Sequence, residues 1–422
     1  MKWKALTNLV LIGLLLFLTA GCTSQGGGTD AGGKVTLTLW YWNRSIDDEP
    51  LKRVDQQFPG IHLKAEKIGG DFKAKLMSAF AAGSGAPDIV GLNSWIANFF
   101  PNRDQFVNLF DLGSKELEPL YLDWKWKQTI TPDGTYQIAL PMDSGPTALF
   151  YRADLFQQAG LPTDPAEVSA KLKTWDDYIA AGQQMKTALQ NKVYMFDNIT
   201  TVYSQMLAQS DKAYFDLQDR FIGDQPHIRK AMETAAKVNQ LGLNAKINQW
   251  TPEWNATMSN GAIASFVGAV WMKQVLQDAA KDTSGQWRVA RAPGGDGNSG
   301  GSFIGITKQS KHPKEAYEVI KWLENPANQL NSLGTTNLFP STPSIYGDPK
   351  MVAPEKFYGN QQTNDIFIES AKNVKVQYSG PKFTIADTIA REEVANIETQ
   401  NKPLEKAWSD MIQRTNKELL LY

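Results

Sequence analysis

The chain has 422 residues, of which 42% are hydrophobic and 21% are charged, which is typical of a globular protein long enough for two domains. Its 43 basic and 44 acidic residues leave a net charge of −1, so the basic excess typical of nucleic-acid-binding proteins is absent. A single cysteine excludes an internal disulfide framework, and three scattered histidines argue against a zinc site. We therefore expect no metal, no cofactor and no nucleic-acid partner.

The first 22 residues have the pattern of a secretory signal. A basic start precedes an apolar run at residues 9–18 that is too short to cross a bilayer as a stable helix. The following TAGC, ending at Cys22, resembles the lipobox of bacterial lipoproteins, although Thr19 stands where that family usually has Leu. The resemblance implies a signal peptide at 1–21, lipidation of Cys22, and a Gly-rich tether at 22–34 that holds the protein at the extracytoplasmic face of a bacterial cell membrane. The alternative is an ordinary signal peptide with an incidental cysteine.

Strand and helix patterns alternate over the next segment. Strand patterns at 35–42, 61–68 and 88–92 are separated by helical spacing at 51–58 and 71–82. This β-α-β-α-β order predicts a mostly parallel sheet with helices on both faces. Trp40 and Trp42 share one strand face and Tyr41 the other, and we expect Trp40 to lie in the core.

The rest of the chain is also a mixture of helices and strands. An extended stretch at 139–151 is interrupted by Pro141 and Pro146. Strands are predicted at 263–267, 286–290 and 303–307. Helices are predicted at about 174–189, 227–241, 252–260, 314–323, 365–372, 385–397 and 404–420.

The sequence motifs typical of enzymes give little support for a catalytic function. Residues 295–300 (GDGNSG) match a dinucleotide-binding pattern literally, but a predicted strand follows where a helix is required. The acidic stretch 47–49 is typical of a solvated surface. A glycosidase pair of carboxylates stays open as an alternative, because such pairs lie far apart in sequence.

A series of short segments along the chain resembles the extracellular solute-binding proteins of ABC importers, in particular the sugar-binding group that includes maltose-binding protein. The segments, in chain order, are LWYWN at 39–43, AGSGAPDIV at 82–90, LP at 140–141, LFYRADLF at 149–156, AGLP at 159–162, TWD at 174–176, GAIA at 261–264 with Gly268 and Trp271, and SKH at 310–312.

The resemblance implies two α/β lobes, each with a mixed, mostly parallel sheet flanked by helices, joined by a hinge and enclosing a ligand cleft. We expect residues 35–142 plus 293–340 to form the N-terminal lobe, and 143–292 plus 341–422 the C-terminal lobe. It further implies a monomer without catalytic activity that delivers its cargo to the permease subunits of an ABC transporter.

Ligands in such folds bind outside the carboxyl ends of strands, which selects particular loops here. Trp250 and Trp254 flank a predicted helix start, and we place Trp254 in the site. Asp71 begins a helix, so its alternative role is a simple N-terminal cap. The expected ligand-binding residues are Trp42, Asn43, Asp71, Asn93, Ser94, Trp95, Asp143, Ser144, Trp254, Trp271 and Gly301.

The chemistry of these residues favours an uncharged carbohydrate. Indoles stack on the C–H faces of sugars, whereas amides, hydroxyls and carboxylates bind their hydroxyl groups. A phosphate or carboxylate ligand would need clustered arginines, and the selected loops contain only Arg44. The alternatives are a secreted carbohydrate-active enzyme and a binding protein for a non-sugar solute.

Overall fold

The computed structural model describes residues 33–421. The predicted signal peptide, Cys22 and most of the tether lie outside the described residues. The strands are β1 Val35–Tyr41, β2 Ile61–Lys67, β3 Ile89–Leu92, β4 Leu140–Pro141, β5 Asp143–Ser144, β6 Thr147–Arg152, β7 Ser265–Ala269, β8 Trp287–Ala290, β9 Phe303–Ile306 and β10 Phe339–Pro340.

Helices make up most of the remaining regular structure. The α-helices are Asp48–Gln57, Phe72–Ala81, Asp123–Lys127, Ala153–Gln158, Pro165–Lys171, Trp175–Ala188, Ile199–Ala208, Pro226–Gln240, Pro252–Asn260, Met272–Ala279, Pro313–Leu323, Pro326–Thr336, Thr363–Asn373, Phe383–Thr399 and Leu404–Leu419. The 3₁₀ segments are Ser94–Gln105, Leu109–Leu112, Ser114–Leu120, Lys281–Thr283, Pro343–Ile345 and Lys356–Tyr358. No helix within residues 33–421 is both long and apolar enough to cross a membrane.

The first sheet has the strand order β2-β1-β3-β9-β4. β1 runs parallel to both β2 and β3, as the alternating pattern predicts, whereas β9 is antiparallel to β3 and β4. Trp40 packs with Phe72 and Leu76 on one face of the sheet, and Tyr41 packs with Leu37 on the other. The expected core position of Trp40 is therefore confirmed.

The second sheet has the order β7-β6-β8, and both of its pairings are antiparallel. The mixed two-lobed α/β fold is confirmed, but the expectation of a mostly parallel sheet is wrong for this lobe. The reason lies in the burial of β6, where Leu149 and Tyr151 face one helical layer, and Ala148 and Phe150 face another. A strand buried on both faces is apolar throughout whatever the direction of its neighbours, so its sequence does not reveal that direction.

Three crossing segments connect the sheets. The first, around β5, pairs with β10 of the third segment through Ser144 and Phe339. The second precedes β9, where the backbone amide of Ser302 donates to Asp143 Oδ1 at 2.7 Å and Met142 N donates to the Ser302 carbonyl at 3.0 Å. These bonds form a compact hinge.

Helix Pro326–Thr336 contacts both lobes. Its Leu333 packs into the core of the second lobe. Toward the first lobe, its Asn328 accepts a hydrogen bond from Arg53, and its Thr335 donates one to Asp47. The expected boundaries between the two lobes stay a prediction, and they are least well defined at this helix because it contacts both lobes.

Candidate functional site

One edge of the first sheet collects the loops that the sequence selects. In the strand register, Trp40 lies beside Val90, while Leu92 and Pro141 both lie beside Phe303. β1, β3 and β4 therefore end, and β9 begins, at the same edge. The loops after β1 and β3 and the hinge segments meet there.

The corresponding edge of the second sheet faces the same hinge. Thr147 pairs with Ala269 and Leu149 with Ala290, so β6 begins where β7 and β8 end. Trp271 follows β7 at this edge. Because both edges lead directly into the crossing segments, they border the space between the lobes.

The loop after β1 presents an indole and an amide. Trp42 is half-buried and packs edge-on against Phe72, with ring centroids 5.1 Å apart, while Asn43 is exposed. Asp71 is also exposed, and its Oδ1 accepts the Ala74 amide at 2.9 Å, so it is the N-terminal cap that the alternative expected.

The loop after β3 presents a similar group. Asn93 is half-buried and its Oδ1 accepts the Ser94 amide at 2.6 Å, while the Ser94 side chain is exposed. Trp95 is half-buried against Phe99, and Lys73 Nζ lies 5.8 Å from its ring centroid. This arrangement provides a flat apolar surface beside hydrogen-bonding groups.

The second lobe contributes two stacked indoles. Trp271 is half-buried and its Nε1 donates to the Ser299 carbonyl of the hinge at 3.1 Å. Trp250 lies on Trp271 with a centroid distance of 5.4 Å and an interplanar angle of 24°. Trp250 is 63% exposed, the largest exposed aromatic surface in the described part of the chain.

Trp254 is not part of this surface, and its expected role is corrected. It is fully buried, packs edge-on against Phe266, and donates from Nε1 to Asp197 Oδ2 at 3.3 Å. Both tryptophans flank a predicted helix start, and the sequence-based expectation places Trp254 in the site and leaves Trp250 out, although one signal separates them. Trp254 is four residues before the buried Met258 on one helix face, whereas Trp250 precedes the helix.

Three further expected site residues belong to the hinge in this structure. Asp143 is buried and its Oδ1 is occupied by the Ser302 amide. Ser144 is fully buried beside β10. Gly301 is buried too, and a Cβ added there would lie only 2.7 Å from Lys125 Nζ. These residues hold the crossing segments together and are closed to a ligand in this conformation.

Buried charges surround the hinge. Lys125 is fully buried, finds no hydrogen-bond partner among the described residues, and places Nζ 3.4 Å from the Phe303 ring centroid. Burial lowers its pKa to about 7. Burial also raises the pKa of Asp143, and it raises that of Glu324 well above the usual range.

The acidic stretch 47–49 is only partly solvated, which corrects another expectation. Asp47 is 3% exposed, caps helix Asp48–Gln57 by accepting the Glu49 amide, and lines a small cavity beside Asp143 and Glu324. Its role is structural.

Two further features concern metal-ligating side chains and the glycine-rich loop at residues 295–300. Across residues 33–421 no group of three His, Cys, Asp or Glu side chains has the geometry to hold a metal ion. Residues 295–300 form the loop between β8 and β9, so a strand follows the glycines, as predicted.

Comparison with known proteins identifies the family. Residues 51–358 match a family model described as bacterial extracellular solute-binding protein. The arabinooligosaccharide-binding protein of Bacillus subtilis is 24% identical over 338 residues, which cover 76% of each chain. The lactose-binding protein of Rhizobium radiobacter is 21% identical over 309 residues, covering 67% of this chain and 69% of the relative.

Solved structures agree with this assignment. A crystal structure of an extracellular solute-binding protein family 1 superposes with a TM-score of 0.86 at 30% identity, covering 90% of this chain and 99% of the other. The galacto-N-biose-/lacto-N-biose I-binding protein of Bifidobacterium longum superposes with a TM-score of 0.76 at 20% identity, covering 92% and 97%. The chain therefore belongs to the bacterial extracellular solute-binding proteins of family 1, the substrate-binding components of ABC transporters.

Proposed function

We propose that this protein captures a neutral oligosaccharide between its two lobes and delivers it, chemically unaltered, to the permease subunits of an ABC importer. The observation that carries the proposal is the stacked pair of the exposed Trp250 and the half-buried Trp271 at the lobe edge that borders the hinge. The exposed ring of Trp250 leaves apolar surface in water, which suits a ligand with an apolar face, and sugars have such faces.

The opposite lobe supplies matching groups. Trp42 and Trp95 offer further ring surface, and the exposed Asn43 and Ser94 offer hydrogen-bonding groups for sugar hydroxyls. Arg44 is the only arginine of these loops, which disfavours an anionic ligand. The similar proteins named above, which bind arabinooligosaccharides, lactose and lacto-N-biose, support the same ligand class.

Binding at this place couples to the hinge. A sugar that contacts both edges gains its full set of interactions only when the lobes approach, so it favours the closed arrangement. A micromolar dissociation constant corresponds to about −8 kcal/mol, which a few stacked rings and hydrogen bonds supply. No bond is broken in this cycle.

The N-terminal region completes the proposal. Lipidation of Cys22 and the tether that follows hold a monomer at the extracytoplasmic face of the cell membrane. A Cys22→Ala variant is expected to appear in the culture medium instead of the membrane fraction. Labelling with a radioactive fatty acid is expected to mark the wild-type protein and not this variant, and an unlabelled wild-type protein would contradict the lipid anchor.

A thermal-shift screen tests the ligand class. Arabinotriose, lactose, lacto-N-biose and maltotriose are compared with glucuronic acid, spermidine and glycerol phosphate, because a ligand that binds the native state raises the melting temperature. A shift with at least one neutral oligosaccharide supports the proposal. Shifts confined to the charged solutes would overturn it.

The rival function is hydrolysis of the same sugars. Each oligosaccharide that gives a shift is incubated with the protein and analysed by chromatography. Unchanged sugar supports a binding protein, whereas accumulating shorter products would establish a carbohydrate-active enzyme.

A further inference from the structure

The backbone of Trp250 is held in an unusual conformation. Its φ of 71° lies in the left-handed region, which costs a bulky residue free energy and persists only when the surroundings enforce it. The side chain is 63% exposed, so its own packing contributes little of that enforcement. The restraint must come from the neighbouring residues.

One buried carboxylate holds both sides of Trp250. Asp197 is 1% exposed, and its Oδ2 accepts Gln249 Nε2 at 2.7 Å and Trp254 Nε1 at 3.3 Å. Gln249 directly precedes Trp250, and Trp254 lies in the helix that follows it. The two donors therefore fix the chain immediately before and shortly after the exposed indole.

The same region is anchored by further hydrogen bonds to its backbone. Ile247 N donates to the Asp197 carbonyl at 3.1 Å, and Asn198 Nδ2 donates to the Ile247 carbonyl at 3.1 Å. Thr251 caps helix Pro252–Asn260 through the Trp254 amide. Gln249 adjoins Trp250 and lies outside helix Pro252–Asn260, so removal of its side-chain amide is expected to leave that helix and the buried Trp254 in place.

We propose that Asp197 and Gln249 are positioning residues of the ligand site, which fix Trp250 on Trp271 so that Trp250 is the outermost stacking surface for the bound sugar. This inference rests on the function proposed above. Trp250 is thereby a ligand contact, and Asp197 acts on the ligand indirectly, through the Gln249 side chain before Trp250 and through Trp254 Nε1 in the helix after it. Neither polar residue needs to touch the sugar.

A spectroscopic test needs no ligand. Two stacked indoles give an exciton couplet in circular dichroism, and Trp250→Phe is expected to abolish it. Gln249→Leu, which removes the donor to Asp197, is expected to reduce the couplet strongly. Gln183→Leu, at an exposed position of helix Trp175–Ala188 in the same lobe, is the matched control and is expected to leave it intact. An undiminished couplet in Gln249→Leu would overturn the inference.

A double-mutant cycle by calorimetry tests the effect on binding, with arabinotriose and lactose as probes. Gln249→Leu is expected to weaken binding about fivefold in the wild-type background and by less than about twofold in a Trp250→Ala background, because the positioned group is then absent. Equal losses in both backgrounds would contradict the positioning role.

The two proposals fail in different ways. If the wild-type protein binds neither these probes nor any sugar of the thermal-shift screen, the proposed function fails, and the couplet still decides whether Gln249 positions Trp250. If the wild type binds a sugar but Trp250→Ala binds it equally well, the contact role of Trp250 is rejected while the sugar-binding function stands.

Discussion

The side-chain amide of Asn98 donates a hydrogen bond of 2.5 Å to the carbonyl of Pro381. Asn98 lies in the segment that follows β3 of the first sheet, and Pro381 precedes helix Phe383–Thr399, which packs into the core of the second lobe. Thr384 Oγ1 adds a weaker contact of 3.4 Å to the same side chain. The bond therefore joins the lobes at a point separate from the hinge.

Asn98→Ala is expected to weaken sugar binding about two- to tenfold if this arrangement of the lobes is the one that binds sugar, because it then loses the bonds of Asn98 to Pro381 and Thr384. Isothermal titration calorimetry measures the change. Asn373→Ala is the matched control, since the Asn373 amide donates only to the carbonyl of Glu369 in its own helix. Equal affinities of Asn98→Ala and wild type would show that the contact does not contribute to closure.

Trp271→Ala is expected to weaken binding by about tenfold or more, through loss of the stacked indole and its bond to the hinge carbonyl of Ser299. Trp271→Phe should restore part of the affinity, because a ring remains. Trp322→Ala serves as control, since Trp322 packs half-buried on Phe58 in the first lobe. Unchanged affinity in Trp271→Ala would remove this residue from the site.

Gly301→Ala is expected to lower the melting temperature more than Gly300→Ala. Both glycines have left-handed φ values, 90° and 85°, so both variants share a backbone cost of order 1–3 kcal/mol. At Gly301 the new Cβ would also lie 2.8 Å from the Asp143 carbonyl, whereas at Gly300 the nearest atom is 3.5 Å away. Because the two variants share the backbone cost, the difference between their melting temperatures measures the effect of the close contacts at Gly301. Equal melting temperatures would show that these contacts do not destabilise the hinge.

Lys125 is expected to make the stability of the protein pH-dependent. Its folded pKa of about 7 lies below the ordinary value of 10.5, so the unfolded chain binds more protons between these limits. The contribution of this group to the free energy of unfolding therefore rises as the pH rises from 7 to 10.5, by at most about 1.4 kcal/mol per pH unit. The same contribution is lost as the pH falls from 10.5 to 7.

The measurement compares urea unfolding of Lys125→Met with wild type at pH 7, 8 and 9. The variant should lack the lysine's contribution, so its stability relative to wild type should fall as pH rises. Lys127→Met, at an exposed position of the same helix, should track wild type. A constant difference between Lys125→Met and wild type would show that Lys125 stays charged in the fold.

Local sequence patterns predicted much of the secondary structure of this protein. The alternation of strand and helix over residues 35–92 predicted the parallel part of the first sheet, and the helices predicted at about 174–189 and 252–260 are confirmed, capped by Thr174 and Thr251. Short helices such as Ala153–Gln158 and Met272–Ala279 were not predicted, because so few turns carry little periodicity and tertiary packing stabilises them.

The candidate site was predicted only in part. The strand-end loops that carry Trp42 and Trp95, and the tryptophan that follows β7, lie at the expected edges because connectivity alone puts them there. Asp143 was expected in the cleft but is buried, since its carboxylate pairs with an amide 159 residues away in sequence. No local pattern contains that partner.

The sequence by itself determined the family, the order of the elements and the tryptophan-rich loops, because these follow from spacing and burial within a few residues. The tertiary structure decided the antiparallel pairing of the second sheet, the burial of Asp47 and Asp143, and the exposure of Trp250 rather than Trp254. Those features depend on which distant segment covers a given face, and the contact between distant segments is a property of the folded chain as a whole.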